Sequence, residues 1–297
     1  MVTVQTVVGG KRNMGTAVKD PYEGFAKTKD FLICIDSDGC AMDTMDIKHF
    51  RCFGPCMIEE WGLKEQEEKL LFRWNQVNLY SMTRGINRFK ALAKVLKEVN
   101  DSGTVIEDVD TLVKWAEEAD ELSNGAIAKE AEKTGSIALK KALSWSESVN
   151  QRIRELPEEE KKPFPGAKEA IAWAHERADI AIVSSANLDA VMEEWEKHGI
   201  LPHVDVVLAQ NAGSKAACIA KLLTYGYDKT KVLMIGDAPG DRAAAQKNGV
   251  FYYPILVTKE KESWERMSQA VEKLMDGSFD EAYQNQLNEE FEKNLGA

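Results

Sequence analysis

An apolar run that ends in a loop of aspartates occurs twice in this chain. Residues 31–35 lead into Asp36-Ser37-Asp38-Gly39-Cys40-Ala41-Met42-Asp43, and residues 232–235 lead into Gly236-Asp237-Ala238-Pro239-Gly240-Asp241. A short apolar run bounded by turn residues reads as a strand buried on both faces, the kind found in parallel sheets. Sites in open parallel sheets form beyond the carboxyl ends of the strands. Two such loops side by side would bring Asp36, Asp38, Asp237 and Asp241 towards one point. Carboxylates at that density repel, so a cation is required. An oxygen-only donor set without His or Cys suggests Mg²⁺. The two loops together point to metal-dependent handling of an anionic group, phosphate first.

The rest of the chain supplies the sheet those loops need. Strand patterns recur at 180–183, 204–208, 231–235 and 250–255, separated by helical patterns at 167–177, 188–198, 215–223 and 241–248. Asn187 is suited to cap the second of these helices. Strands alternating with helices imply a parallel sheet wound on both faces, an α/β fold of the Rossmann-like, doubly wound kind. Between the first strand and this alternating part, residues 46–157 carry only helical periodicity, with stripes such as Leu70, Leu71, Trp74, Val77 and Tyr80. The block closes at 155–166, a charged, proline-rich stretch that reads as a linker. The expected organisation is an α/β core from 1–44 and 160–297, with an all-helical domain, 45–159, inserted after the first strand. Residues 1–30 read as irregular.

Size and charge narrow the function. At 297 residues the chain can bury a large core and form two domains. Mean hydropathy is -0.37 and no apolar run reaches the roughly 20 residues of a membrane span. Net charge is -11, which argues against nucleic acid and anionic membrane as partners. A site for an anion must then be locally positive. The N-terminal segment lacks a basic region ahead of its apolar residues and makes a poor signal peptide. Five cysteines without a disulfide pattern suit a reducing, cytoplasmic setting. His49, Cys52 and Cys56 have a spacing that suggests zinc, but no fourth ligand is near in sequence.

Each candidate residue has a chemical reason. A carboxylate at a strand tip, as at Asp36, can attack phosphorus and form an aspartyl phosphate. Asp38 can protonate the leaving oxygen and later activate water. Asp237 can ligate the metal, and Asp241, in the first turn of the next helix, can support it. Ser184 and Ser185 follow a strand and precede a helix, where hydroxyl and backbone N–H groups bind phosphate oxygens. Lys215 opens a helix after Gly213-Ser214 and can balance phosphoryl charge.

The order of these elements resembles the haloacid dehalogenase superfamily, whose four motifs run strand-DxD, strand-Ser, Lys-helix and strand-GDxxxD. Asp36-Ser-Asp38-Gly-Cys-Ala-Met-Asp43-Thr44 looks like that family's first motif, D-x-D-G-T-L-x-D-S. The resemblance implies that Asp36 is the nucleophile, Asp38 the general acid and base, Ser184 a phosphoryl ligand and Lys215 the third-motif lysine. It also implies that Asp36, the backbone carbonyl of Asp38, Asp237 and Asp241 form the metal site. The helical insertion looks like the family's cap. Three positions depart from the pattern: Cys40 replaces the usual Thr, Lys215 lacks the common Gly-Lys-Pro context, and Ala238-Pro-Gly is a stiff filler in motif four.

The resemblance implies a Mg²⁺-dependent phosphatase acting on a small phosphorylated metabolite. The presence of Asp38 sets the chain apart from the family's dehalogenases. A phosphomutase shares the same core. A phosphonatase needs a Schiff-base lysine, for which Lys48 lies in the right region. A non-catalytic metabolite-binding protein is the rival from another class. For substrate contacts in the cap, Asp43, Thr44 and Lys48 lie just beyond motif one, and Arg84 and Arg88 are spaced i,i+4 as if to share a helix face. Trp61, Trp74 and Tyr80 are expected to pack rather than bind. Oligomeric state is open.

Overall fold

The computed structural model describes residues 20–297. Its strands are β1 (Leu32–Ile35), β2 (Met42–Asp43), β3 (Lys162–Pro163), β4 (Asp179–Val183), β5 (Val206–Leu208), β6 (Val232–Gly236) and β7 (Phe251–Pro254). Five of them form one parallel sheet in the order β5-β4-β1-β6-β7. β1 lies at the centre, paired residue for residue with β4 and β6, so that Ile35 is level with Ile182 and Ile235. The chain therefore leaves three adjacent strands at one height, and the three loops that follow share one end of the sheet.

Alternation along the strands builds a core on each face. Ile33, Ile35, Ile180, Ile182, Leu233 and Ile235 point to one side and join Ile171, Trp195, Trp264 and Met267. Leu32, Cys34, Ala181, Val183, Val232 and Met234 point to the other, towards Cys218, Leu222, Ala245 and Phe291. The period of two in a pleated strand makes both faces apolar, so both must be covered by helices.

Between β2 and β3 the chain is helical. The helices are α1 (Met45–Lys48), α2 (Gly54–Trp61), α3 (Glu67–Asn78), α4 (Arg88–Asp101), α5 (Val109–Glu118), α6 (Asn124–Thr134) and α7 (Ile137–Arg154). A π-helical turn, His49–Phe53, joins α1 to α2 without a break. These helices bury a third apolar cluster, in which Trp74 and Trp145 are fully enclosed and meet edge to face at 5.9 Å. Side chains of Asn87, Ser123 and Ser136 cap α4, α6 and α7. Beyond β3 come α8 (Ala167–His175), α9 (Leu188–Lys197), α10 (Lys215–Leu223), α11 (Pro239–Asn248), α12 (Glu260–Asp276) and α13 (Glu281–Asn294).

Two features differ from the sequence reading. The stretch expected to be a plain linker holds β3, which pairs antiparallel with β2, so the two crossings into the insertion are tied together by a short ladder. Phe164 N–H extends it by donating to Ala41 O at 2.9 Å. The second difference concerns Arg84. α4 begins at Arg88 behind its Asn87 cap, so Arg84 lies in the preceding turn and the two arginines share no helix face. Of the N-terminal stretch read as irregular, 1–19 falls outside the described residues. Residues 20–30 hold Thr28 and Lys29 against Asp179. Among the described residues no helix is long and apolar enough to cross a membrane.

Candidate active site

Asp36 follows β1 directly. Its backbone N–H donates to Ile235 O at 3.0 Å, which holds the start of motif one against β6. Asp36 Oδ1 accepts from Ser37 N–H at 2.8 Å, and Ser37 Oγ accepts from Trp195 Nε1 at 2.9 Å. The loop turns at Gly39, whose φ is +80°. A Cβ there would lie 2.7 Å from both Arg84 Nη2 and Asp237 Oδ2, so glycine meets a conformational and a steric demand at once. Cys40, in place of Thr, leaves a thiol 3.7 Å from Ile235 O, while its carbonyl accepts from Trp264 Nε1.

The motif-four loop comes off β6. Pro239 occupies the first turn of α11, where its missing N–H costs nothing. Asp241, in that same turn, accepts from Ala238 N–H at 3.0 Å and is fully buried. Lys215, in the first turn of α10 behind the Ser214 cap, reaches across to stand 2.7 Å from Asp36 Oδ2 and 2.5 Å from Asp241 Oδ1. Asp36, Asp237 and Asp241 each offer an oxygen, all within 4.8 Å of one another, and no other such group of ligating side chains occurs among the described residues. Asp237 Oδ1 has no hydrogen-bond partner, the only buried side-chain nitrogen or oxygen so placed among the described residues. An unpartnered buried carboxylate oxygen is costly. A hard divalent cation bound by carboxylates would satisfy it, so the donor set fits such an ion.

Electrostatics divides the aspartates. Burial pushes the Asp36 carboxyl up to about 6, opposed by Lys215 and reinforced by Asp241. Burial also pushes Asp237 up to about 6, with Arg84 opposing and Asp36 adding. Asp38 goes the other way: burial works against its charge, but Lys48 and then Thr44 hold it below the usual carboxylate range. Burial likewise opposes the charge of Lys215, and Asp241 and Asp36 outweigh it. A lysine fixed as ammonium beside a strand-tip carboxylate can neutralise a transferred anionic group.

The remaining expected residues fall in different places. The side chain of Asp38 lies outside the three-carboxylate cluster, bonded to Thr44 Oγ1 at 2.5 Å and to Lys48 Nζ at 2.7 Å. Ser184 follows β4 at the height of the motif-one loop; it is buried, with Oγ accepting from Ala186 N–H at 3.2 Å. Ser185 is exposed on the same loop. Asp43 is exposed on β2. Arg88 is turned into the insertion, bonded to Ser146 and Asn150 with its guanidinium 4.9 Å from the Phe53 ring centre. Arg84 meets Asp237 instead of an open cavity. His49 does not join Cys52 and Cys56 in a metal site; its Nδ1 accepts from Trp74 Nε1 at 3.0 Å.

Two contacts were not foreseen from sequence. Glu194, buried on α9, lies 4.0 Å from Lys48, and burial pushes its carboxyl up to about 7, with Lys48 opposing. The Arg84–Asp237 pair joins residues 153 positions apart. No local pattern marks either pairing: Asp237 reads as a metal ligand and Arg84 and Lys48 as contacts in the cap, and nothing near them in sequence gives the partner of any of them.

The family model of haloacid dehalogenase-like hydrolases matches residues 104–254, just over half the chain and inclusive of Ser184, Lys215, Asp237 and Asp241. No curated protein sequence matches the chain. Among solved structures, a provisionally named phosphoglycolate phosphatase from Lactobacillus delbrueckii subsp. bulgaricus is 12% identical, with a TM-score of 0.51 over 82% of this chain and 99% of that one. A haloacid dehalogenase-like family hydrolase from Streptococcus pneumoniae is 14% identical (TM-score 0.47, covering 80% and 90%). The L-2-haloacid dehalogenase from Xanthobacter autotrophicus is also 14% identical (TM-score 0.39, covering 82% and 84%). At such identities the first of these likenesses speaks to the fold, and the family match speaks to descent. The chain belongs to the haloacid dehalogenase-like hydrolases.

Proposed function

We propose that this hydrolase is a Mg²⁺-dependent phosphatase of a small phosphorylated metabolite, working through an aspartyl phosphate on Asp36. The observation that carries the reading is the buried group of Asp36, Asp237 and Asp241, with Lys215 between two of them and one Asp237 oxygen unsatisfied. Asp36, Asp237 and Asp241 would hold the ion, whose charge, when bound, would offset that of the phosphoryl oxygens.

Asp36 attacks phosphorus in line with the leaving oxygen, forming the Asp36–phosphorus bond as the ester bond breaks. Here Asp38 is a carboxylate paired with Lys48, so it must part from Lys48 and take up a proton before it can give one to the departing oxygen. As a carboxylate it then takes a proton from the water that cleaves the aspartyl phosphate, returning Asp36 to a free carboxylate. Lys215 and the backbone and hydroxyl groups at Ser184 balance and orient the transferred group. We read residues 45–159 as a cap over this site, tied to the core by the β2–β3 ladder. The i,i+4 anion clamp expected of Arg84 and Arg88 is not part of this proposal, because both side chains are otherwise engaged. Phosphonatase chemistry gains no support from Lys48. Burial works against its charge, but Asp38 and Glu194 hold it as ammonium, whereas a Schiff base needs a free amine.

Phosphate release from a broad panel of phosphorylated metabolites, with Mg²⁺ and with chelator, tests the proposal. The expected result is release from a narrow group of substrates, lost on chelation and lost in Asp36→Asn. Turnover that persists in purified, folded Asp36→Asn would overturn the nucleophile assignment.

A further inference from the structure

Arg84 sits in the turn between α3 and α4, and that turn is where the insertion rests on the motif-four loop. Gly85, with φ at +70°, packs so close that a Cβ on it would lie 2.9 Å from Ala238 Cβ. Tyr80 and Met82 pack against the apolar cluster on one face of the sheet. Within the turn, Arg84 N–H donates to Ser81 O at 2.8 Å, and its Nη1 donates to Leu79 O at 2.8 Å. The guanidinium is thus aimed before it meets its partner. Its Nε donates to Asp237 Oδ2 at 2.7 Å, with both side chains only 1% exposed.

The two oxygens of Asp237 are used unequally. Oδ2 belongs to Arg84, and Oδ1 is the buried oxygen without a partner. Arg84 touches the cluster through one Asp237 oxygen, and the ammonium that bridges Asp36 and Asp241 is that of Lys215. We propose that Arg84 is a positioning residue for the metal centre: by holding Oδ2 it directs Oδ1 of Asp237 to the ion, so that cation binding and docking of the α3–α4 turn reinforce one another. Groups that orient a metal ligand typically change metal affinity about 10- to 100-fold when removed. The coupling is reciprocal, so the ion must also stabilise the turn.

This inference rests on the metal site proposed above, and the test separates the two. Mn²⁺ is titrated into the full-length protein by calorimetry, using wild type, Arg84→Lys and Arg84→Met, each checked for fold by circular dichroism and thermal melting. Hydrogen exchange of residues 79–86 is followed in wild type with and without Mn²⁺. The expected result is about 10-fold or greater weakening of Mn²⁺ binding in Arg84→Met, a smaller loss in Arg84→Lys, and slower exchange in the wild-type turn when Mn²⁺ is bound. Equal or tighter binding by folded Arg84→Met overturns the proposal and leaves the metal site standing. Wild type that binds no Mn²⁺ overturns both. Should Arg84→Met fail to fold, Arg84→Lys and the wild-type exchange decide, and a turn whose exchange ignores Mn²⁺ overturns the role of Arg84.

Discussion

Lys48 Nζ stands 2.7 Å from Asp38 Oδ1 and 2.9 Å from Oδ2, a forked ion pair whose lysine side chain is 10% exposed and whose carboxylate is 28% exposed. The pair fastens the second aspartate of motif one to the first helix of the insertion, and Glu194 faces the same ammonium from α9. Lys48→Met would leave two carboxylates without their cation. The expected destabilisation is about 2–4 kcal/mol, below that of a fully buried pair because Asp38 reaches solvent. In urea unfolding, combining it with Asp38→Asn should cost less than the two single changes added, by about 1–3 kcal/mol. Strict additivity would mean that the pair contributes nothing.

His49 should make the protein acid-sensitive. Its ring is stacked on Phe53 with centroids 4.6 Å apart, and Nδ1 accepts from Trp74. Burial, then the charges of Arg84 and Arg88, push its pKa down to about 3. An unfolded chain binds this proton near pH 6.5. Between those values the unfolded state carries a proton that the native state refuses, so stability is full above pH 6.5 and falls as the pH drops towards 3. The expected loss between pH 7.5 and 5 is about 2 kcal/mol from this residue. Urea midpoints of wild type and His49→Gln across that range measure it. Parallel curves for the two proteins would dismiss the histidine as the cause.

Asp179 is expected to anchor the sheet from its far end. This fully buried carboxylate at the start of β4 accepts from Thr28 N–H, Thr28 Oγ1, Lys29 N–H and the Tyr227 hydroxyl. It thereby holds the approach to β1 against β4. Asp179→Ala strands several buried donors and should cost about 3 kcal/mol or more. Asp179→Asn should cost less, because its amide N–H can donate to the Thr28 hydroxyl, which can turn to accept. Chemical denaturation of the three proteins gives the ranking, and an Ala variant no weaker than Asn would refute this account.

Much of this protein is written locally. The runs 31–35 and 232–235 are apolar because a central parallel strand is buried on both faces, and that requirement shows in any short window. In the helical stripe Leu70, Leu71, Trp74, Val77 and Tyr80, the periodicity holds for Leu70, Trp74 and Val77, which are buried, while Leu71 is half-buried and Tyr80, half-buried, lies beyond the end of α3. Of the four aspartates expected to converge, Asp36, Asp237 and Asp241 do so, because loops that follow adjacent parallel strands must emerge at one end of the sheet, whereas the Asp38 side chain is drawn away to Thr44 and Lys48. The β2–β3 ladder escaped notice because two-residue strands have too little pattern to detect.

The partnerships of the long charged side chains came only from the tertiary structure. Arg84 and Arg88 looked like one basic face, yet the Asn87 cap starts the helix between them. One guanidinium then enters the aspartate cluster and the other the interior of the insertion. Lys48 and Glu194 meet only because α1 and α9 pack over the same loop. Sequence by itself determined which residues bear charge and which strands end in carboxylates, since both follow from local composition and backbone period. Where a flexible arginine or lysine finds its counter-charge depends on burial and on distances between remote segments, and those exist only once the chain has folded.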